Sequence, residues 1–277
     1  LNYFDLHCDT PYECYFKKQD FLQNNLAVSG EKGAGFDNWK QIFAVWIRDD
    51  LDEPYKLYKS VLKDFKAKLK DKPDNLTPYF AVEGGAVMEA DIDRLYELKE
   101  DGICALTLTW NGENRIAGGS KTDKGLTYFG KRVIKEMNSL NMLCDLSHLN
   151  EKSFYSAVEL ADFPLATHSN SKRVFDCPRN LDDNQLKMIA EKGGIVGLCF
   201  YTKFLGVDVP QKLYENIYHM LELGLENNIA IGSDFDGADM PGELCDISKM
   251  PFLYANLLKK GISQTILEKI LYKNAEN

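Results

Sequence analysis

Short apolar runs alternate with amphipathic segments along the whole chain. Runs rich in Val, Ile, Leu, Phe and Ala, each followed by residues with helical periodicity, predict β-strands that are buried on both faces. Eight such strands are predicted, at residues 3–9, 41–47, 78–83, 104–110, 142–148, 165–168, 195–200 and 229–234. The alternation of strand and helix predicts repeated βα units and a parallel sheet.

The segment between the second and third strands shows the helical pattern most clearly. Its apolar residues recur at i, i+3, i+4, i+7 and i+11, namely Tyr58, Val61, Leu62, Phe65 and Leu69, and its opposite face is rich in lysine. A basic amphipathic helix can lie on a membrane, but outer helices of α/β proteins have the same pattern, and we favour the latter. Further along the chain, Asn150 and Ser263 are predicted to begin helices, and Gly193–Gly194 to end the one that starts near Asp182.

Eight strand-and-helix units within 277 residues favour a single-domain (β/α)8 TIM-type barrel over residues 1–277. A doubly wound open sheet is the alternative, but no Gly-x-Gly-x-x-Gly motif follows the first strand. The connections that leave strands one, four, six and eight are long, whereas those from helix to strand are short. A functional site is therefore expected at the carboxyl ends of the strands.

Composition and charge disfavour some classes of binding partner and of cellular compartment. The chain has 33 basic and 42 acidic residues, a net charge of −9 that disfavours nucleic acid as a partner. It has no apolar run of roughly 18 to 20 residues and begins without a basic leader, so we predict a protein with no membrane segment. Seven cysteines without a Cys-x-x-Cys pair predict buried reduced thiols and a cytoplasmic location.

Three of the four histidines fall at the ends of predicted strands: His7, His148 and His168. Simple alternation along strand one places His7 and Asp9 on one face, about 6.6 Å apart, with Leu6 and Cys8 pointing outward. An isolated His-x-Asp is more often a surface or hydrogen-bonded core pair. Its position at a strand end favours metal binding instead.

Two carboxylates complete the predicted cluster. Glu83 ends the third strand beside apolar residues, where an unpaired charge would be costly to bury. Asp234 ends the eighth strand and is either a further ligand or an acid/base, whereas Asp236 fits a turn residue. His219 lies in a helical segment and is interpreted as a packed or supporting histidine. Two imidazoles and a carboxylate for each ion, with one carboxylate shared, suit a pair of zinc-like ions.

These segments together resemble the membrane dipeptidase, or renal dipeptidase, family of dinuclear zinc metallopeptidases. The resemblance spans almost the whole chain and rests on the ordered segments 5–10, 82–84, 106–109, 145–148, 167–169, 179–180 and 232–237. It implies that His7 and Asp9 hold one zinc ion, that His148 and His168 hold the other, and that Glu83 bridges both. The strand-one motif is His-x-Asp rather than His-x-His, which favours this branch over phosphotriesterase-like relatives.

The resemblance also implies a function. The chain would hydrolyse the peptide bond of dipeptides through a metal-bridging hydroxide, with two divalent metal ions, zinc foremost, as cofactors. Asp234 would act as the acid/base and contact the substrate amine, and Arg179 would bind the substrate carboxylate. Small dipeptides are the implied partners, and a homodimer is compatible with the resemblance.

One position departs from the family pattern. The mammalian enzyme has a histidine that helps to stabilise the tetrahedral oxygen, where this chain has Trp110 followed by Asn111. Loss of such a donor typically costs about 2.7 to 4 kcal/mol in a transition state. We interpret Trp110 as a change of substrate scope, with Asn111 as a candidate replacement donor. Two alternatives stay open: another amide or lactone hydrolase on the same scaffold, and a catalytically silent zinc-binding barrel.

Overall fold

Eight parallel strands form one sheet in the computed structural model, which describes residues 1–276. Neighbours in the sheet follow the order β6-β5-β4-β3-β2-β1-β8-β7. The strands are β1 Asn2–Cys8, β2 Asn38–Trp46, β3 Leu76–Glu83, β4 Ile103–Thr107, β5 Leu143–Asp145, β6 Pro164–Leu165, β7 Val196–Leu198 and β8 Ile229–Ile231. All eight predicted strands are therefore present, although the later ones are shorter than predicted.

The sheet curls into a ring. β1 pairs with β8 through Asp5 and Ile231, and a parallel bridge between Ala166 and Val196 joins the two ends of the sheet. Because every ladder is parallel, the carboxyl ends of all strands lie at one rim. The predicted (β/α)8 barrel is confirmed.

Helices surround this ring. The α-helices are α1 Thr10–Phe16, α2 Gly30–Gly33, α3 Pro54–Lys68, α4 Arg94–Glu100, α5 Tyr128–Ser139, α6 Glu151–Leu160, α7 Asp183–Glu191, α8 Thr202–Leu205, α9 Val209–Glu222, α10 Met250–Lys259, α11 Gln264–Glu268 and α12 Asn274–Glu276. Short 3₁₀ helices span Gly85–Met88, Gly242–Leu244 and Ile247–Lys249, and a π-helical turn spans Lys269–Lys273.

The amphipathic pattern and the predicted caps are found in these helices. The apolar face of α3 is buried and packs in the main core, which confirms it as an outer helix of the barrel. The side chains of Asn150, Asp182 and Ser263 accept hydrogen bonds from the first turns of α6, α7 and α11. Gly193, with a φ of 72°, follows the end of α7, as predicted for a left-handed helix stop.

The barrel interior holds a separate small core. One cluster combines Phe4 and Leu6 of β1 with residues from four other strands, namely Ile42, Ala81, Ala105 and Ala230. The prediction that Leu6 points outward is therefore wrong. The register between β1 and β2 shifts between Asp5 and Cys8, and this irregularity breaks the simple alternation. Cys8 does pack in the outer core.

All seven cysteines are free thiols within residues 1–276. Cys8, Cys14, Cys144 and Cys199 are buried, as the sequence predicts, whereas Cys245 is exposed. The remaining two are partly buried. The structure describes no helix that is both long and apolar enough to cross a bilayer among these residues.

Candidate metal centre

Glu83 lies at the middle of a cluster of ligand-type side chains at the barrel rim. Its Oε1 is 2.7 Å from Nε2 of His148 and 3.5 Å from Nε2 of His168. Its Oε2 is 3.5 Å from Nε2 of His7, which is itself 3.6 Å from Oδ2 of Asp9. The strand ends thus bring together all five predicted ligands from β1, β3 and the segments that follow β5 and β6.

These side chains form overlapping sets of three whose ligand atoms all lie within 4.8 Å of one another. One set is His7, Asp9 and Glu83, and a second is Glu83, His148 and His168. Glu83 is common to both. A third set joins Asp234 to His7 and His168. The geometry is compatible with two neighbouring cations that share one carboxylate.

Two local observations test whether cations fit this site. Nε2 of His7 and Oδ1 of Asp9 are buried without a hydrogen-bond partner in the described chain. Nε2 of His148 and Nε2 of His168 also face each other at 2.7 Å, although both rings have oxygen partners at Nδ1. Buried polar atoms are rarely left unpaired, and facing imidazole nitrogens need a positive charge or a proton between them. The donor set therefore fits divalent cations.

Burial and mutual contacts shift the pKa values of this cluster. Burial alone would raise the pKa of Glu83, but the three surrounding histidines hold it well below its usual range. Burial lowers the pKa of His148 to about 3, assisted by the positive charge of Arg179. Burial and the nearby Glu83 charge raise the pKa of Asp9 well above its usual range. His148 is therefore neutral, the state in which an imidazole binds a metal ion, whereas Asp9 and Glu83 raise the pKa of His7 well above its usual range despite its burial.

Asp234 follows β8 and faces the same cluster. Its backbone is left-handed, with a φ of 65°, and its N–H donates to the carbonyl of His7 at 3.2 Å. Burial raises the pKa of Asp234, while His168 and His7 act in the opposite direction. Asp236 lies nearby, but its carboxylate accepts hydrogen bonds from the hydroxyl of Thr10 and from loop amides. It joins the loop after β8 to the segments near Thr10 and Ala27, rather than closing a turn of its own as the sequence predicts.

A cavity of about 510 Å³ opens above the cluster. Asp9, Glu83, His148, Arg179 and Asp234 all line it. The guanidinium of Arg179 is buried, lies 5.1 Å from the ring centre of Phe204, and donates to the carbonyl of His168 at 3.4 Å. Its Nε has no hydrogen-bond partner among the described residues. A buried guanidinium with free donors is suited to bind a carboxylate.

The family model that matches this chain is described as membrane dipeptidase, peptidase family M19, and it matches residues 57–276. The chain belongs to the membrane dipeptidase family. The match includes Glu83, His148, His168, Arg179 and Asp234, whereas His7 and Asp9 lie outside the matched residues.

Two curated proteins are similar to this chain over most of its length. The chain is 34% identical over 209 residues to an uncharacterised protein of Klebsiella pneumoniae, covering 70% of this chain and 77% of that protein. It is 32% identical over 220 residues to an uncharacterised dipeptidase of Schizosaccharomyces pombe, covering 76% of this chain but only 54% of that protein. This chain therefore spans about half the length of the latter relative.

Solved structures show the same fold. A dipeptidase described as an M19 metallopeptidase superimposes with a TM-score of 0.85 at 25% identity, covering 99% of this chain and 96% of that one. A metallopeptidase from Rhodobacter sphaeroides, solved with a phosphinate mimic of the dipeptide L-Ala-D-Ala, has a TM-score of 0.87 at 24% identity. The coverage is 99% of this chain and 97% of that chain.

Trp110 and Asn111, where the chain departs from the mammalian family pattern, both line the cavity. The Trp110 ring packs edge-on against Trp46 with centroids 5.1 Å apart. Oδ1 of Asn111 lies 3.0 Å from Nδ1 of His148 and accepts from the hydroxyl of Ser120 at 3.0 Å. Asn111 therefore contacts a predicted ligand, a role that the sequence did not indicate.

His219 lies away from this site. Its Nε2 is 2.7 Å from Oδ1 of Asp183, which joins α9 to α7 on the outside of the barrel. This position is compatible with the prediction that His219 is not a metal ligand, and its hydrogen bond is to Asp183 rather than to a predicted ligand. The groups beside the ligands that the sequence did not indicate are Asp145 and Thr167, which are hydrogen-bonded to each other and, through Thr167, to His7 and His168. The only available signal was a carboxylate within an apolar strand, three residues before His148.

Proposed function

We propose that this chain is a dinuclear metal-dependent dipeptidase whose substrate binds in the cavity above Glu83. The observation that carries the proposal is the pair of ligand sets that share Glu83, with Asp234 and Arg179 on the walls of the same cavity. His7 and Asp9 would hold one cation, and His148 and His168 the other. Zinc is the expected ion because imidazole and carboxylate ligands suit it.

When bound, two divalent cations would lower the pKa of a water molecule and polarise the scissile carbonyl. The side chains of the protein would bind the substrate and transfer the proton. Arg179 would bind the terminal carboxylate of the substrate through its free donors and so fix the direction of the peptide. Asp234, on another wall of the cavity, would bind the substrate amine, accept a proton and then deliver it to the leaving nitrogen.

The charges of Asp234 and Arg179 also explain why we propose a dipeptide as the substrate. A free dipeptide carries an ammonium and a carboxylate, and the cavity presents an acidic group and a buried cation to receive them. A cavity of about 510 Å³ lies within the range of small-molecule sites. Longer peptides lack one of the two charges at that spacing and would bind poorly.

A substrate panel tests the proposal. Purified protein, loaded separately with zinc, cobalt or manganese, is assayed against dipeptides, N-acyl amino acids and lactones. L-Ala-D-Ala and L-Ala-L-Ala are included because a relative was solved with a mimic of the former. We expect dipeptides to be hydrolysed fastest. Preferential hydrolysis of N-acyl amino acids or lactones would instead favour the alternative in which Trp110 marks a different amide or ester substrate.

The third outcome would be bound zinc without hydrolysis of any substrate. That result would support a silent metal-binding barrel. The presence of both Asp234 and Arg179 at the cavity argues against it, because a binding module needs no poised acid/base.

A further inference from the structure

We propose that the hydroxyl of Thr167 is a positioning group shared by both metal positions, an inference that rests on the dinuclear site proposed above. Oγ1 of Thr167 lies 3.2 Å from Nδ1 of His7 and 2.9 Å from Nδ1 of His168. These histidines are assigned to different cations. A single hydroxyl therefore contacts one ligand of each.

The direction of these hydrogen bonds follows from Asp145. Its Oδ2 accepts from the hydroxyl of Thr167 at 2.7 Å and from that of Thr107 at 2.6 Å. Its Oδ1 accepts from the backbone N–H groups of Ser147 and Thr167 at 3.0 and 2.9 Å. A hydroxyl has one proton, and Thr167 uses it on the carboxylate. Its two lone pairs then accept from the two imidazoles, both of which lie nearer to Oγ1 than the hydroxyl of Ser147 does at 3.4 Å.

Accepting from Nδ1 fixes which nitrogen of each ring can bind a cation. A neutral imidazole that donates through Nδ1 keeps its lone pair on Nε2. Nε2 of His7 lies 3.5 Å from Oε2 of Glu83, and Nε2 of His168 lies 3.5 Å from Oε1 of the same carboxylate. Thr167 thus orients the two rings so that the Nε2 lone pair of His7 faces Oε2 of Glu83 and that of His168 faces Oε1.

The backbone of Thr167 is held in place by two glycines. A Cβ atom at Gly197 of β7 or at Gly232 after β8 would clash with the carbonyl oxygen of Thr167. The absence of side chains lets three backbone segments meet there. The hydroxyl therefore projects from a closely packed backbone segment just after β6.

His148 depends on a different partner. Its Nδ1 contacts Oδ1 of Asn111, not Thr167. Loss of the Thr167 hydroxyl should weaken both metal positions, whereas loss of the Asn111 side chain should weaken only the position that includes His148. The number of metal positions that are weakened, two in one variant and one in the other, distinguishes a shared positioning group from general damage to the site.

The test compares four variants of the full chain: Thr167→Val, Thr167→Ser, Asn111→Ala and Thr107→Val. Zinc affinity of each metal-free protein is measured by competition with a chromogenic chelator. We expect Thr167→Val to weaken both zinc ions by about 10- to 100-fold and Asn111→Ala to weaken one. Thr167→Ser should bind both ions within about threefold of wild type, a margin well below the loss expected of a supporting hydrogen bond.

Thr107→Val is the matched control. It removes the other hydroxyl from the same Asp145 oxygen but contacts no histidine, so zinc binding should be nearly unchanged. Normal affinity for both ions in a folded Thr167→Val protein would overturn the inference. So would equal losses in Thr167→Val and Thr107→Val, which would indicate a merely structural role.

A spectroscopic measurement on the wild-type protein does not depend on a variant that folds. In the zinc-loaded protein, long-range ¹H–¹⁵N spectra should place the imidazole proton of His7 and His168 on Nδ1. Protons on Nε2 would overturn the inference even if the enzyme hydrolyses dipeptides. A wild-type protein that binds no zinc would remove the dinuclear proposal itself, so the two failures are distinguishable.

Discussion

The thiol of Cys199 lies 3.6 Å from Oδ2 of Asp234 and donates to it. This contact engages one oxygen of the carboxylate from the side of β7. It holds the group against the wall of the cavity, in the place where an acid/base would meet the substrate.

Asp234→Asn should abolish most dipeptide hydrolysis while leaving metal content near normal. An amide cannot accept and return the proton, and acid/base groups typically contribute about 100- to 10,000-fold to the rate. Turnover and elemental analysis on the same sample check this. Asp239→Asn, on an exposed residue of the same loop, is the control and should behave as wild type. Undiminished turnover in Asp234→Asn would remove the assigned role.

Arg179→Lys should raise KM for dipeptides by about 10- to 100-fold, with a smaller effect on kcat. A lysine cannot form the two parallel hydrogen bonds of a guanidinium, and hydrogen bonds to charged groups contribute about 1.5 to 3 kcal/mol. Dipeptide amides lack the carboxylate, so their KM should change little in this variant. Arg173→Lys, on an exposed residue nearby, serves as the control. Equal losses with dipeptides and their amides would contradict a carboxylate-binding role.

Removal of metal should lower the melting temperature. Without cations, the carboxylates of Asp9, Glu83 and Asp234 remain buried near one another. A ligand present at about 100 times its Kd stabilises by about 2.7 kcal/mol, which corresponds to roughly 5 to 10 °C at this size. Scanning calorimetry before and after chelation, then after zinc addition, measures the change. Up to two ions per chain are expected by elemental analysis. No bound metal and no uptake would count decisively against the site.

Thiol reactivity should separate the exposed cysteine from the buried ones. Burial raises the pKa of Cys104 to about 11 and that of Cys14 to about 12. A raised pKa keeps the unreactive thiol form, so at pH 9 only about 1% of Cys104 would be thiolate. A colourimetric thiol reagent should label Cys245 of the native protein rapidly between pH 7 and 9. After the protein is unfolded in guanidinium, the same reagent should label all seven thiols.

Cys245→Ser should remove the fast phase and nothing else. Fast labelling of the buried Cys14, or of the partly buried Cys104, in the native protein would contradict this prediction. Fewer than seven thiols in the unfolded protein would reveal a disulfide and contradict the prediction of reduced cysteines.

The strands and the outer helices could be predicted because their signals are local. Periodicity over a dozen residues is enough to place the face of α3, and single side chains such as Asn150 and Ser263 mark helix starts. The candidate ligands could be identified because parallel strands bring their carboxyl ends to one rim. Histidines and carboxylates at those ends could therefore be predicted to meet.

The supporting groups could not be predicted, because no local pattern relates them to the ligands. His7 and Thr167 are 160 positions apart, and threonine in a strand is ordinarily a packing residue. The register shift within β1 could not be predicted from the sequence either. It depends on how β1 pairs with β2, so strict alternation misplaced Leu6 while still placing His7 and Asp9 at the site.

His148 and Asp234 both adopt left-handed backbone conformations, with φ values of 70° and 65°. A non-glycine residue in that region costs of order 1 to 3 kcal/mol. Glycine would relieve the strain at either position, yet it would remove an imidazole or a carboxylate from the cavity. Glycine at either position should therefore stabilise the fold and remove a group that the proposed activity needs, so that stability and the proposed activity make opposite demands on these two positions.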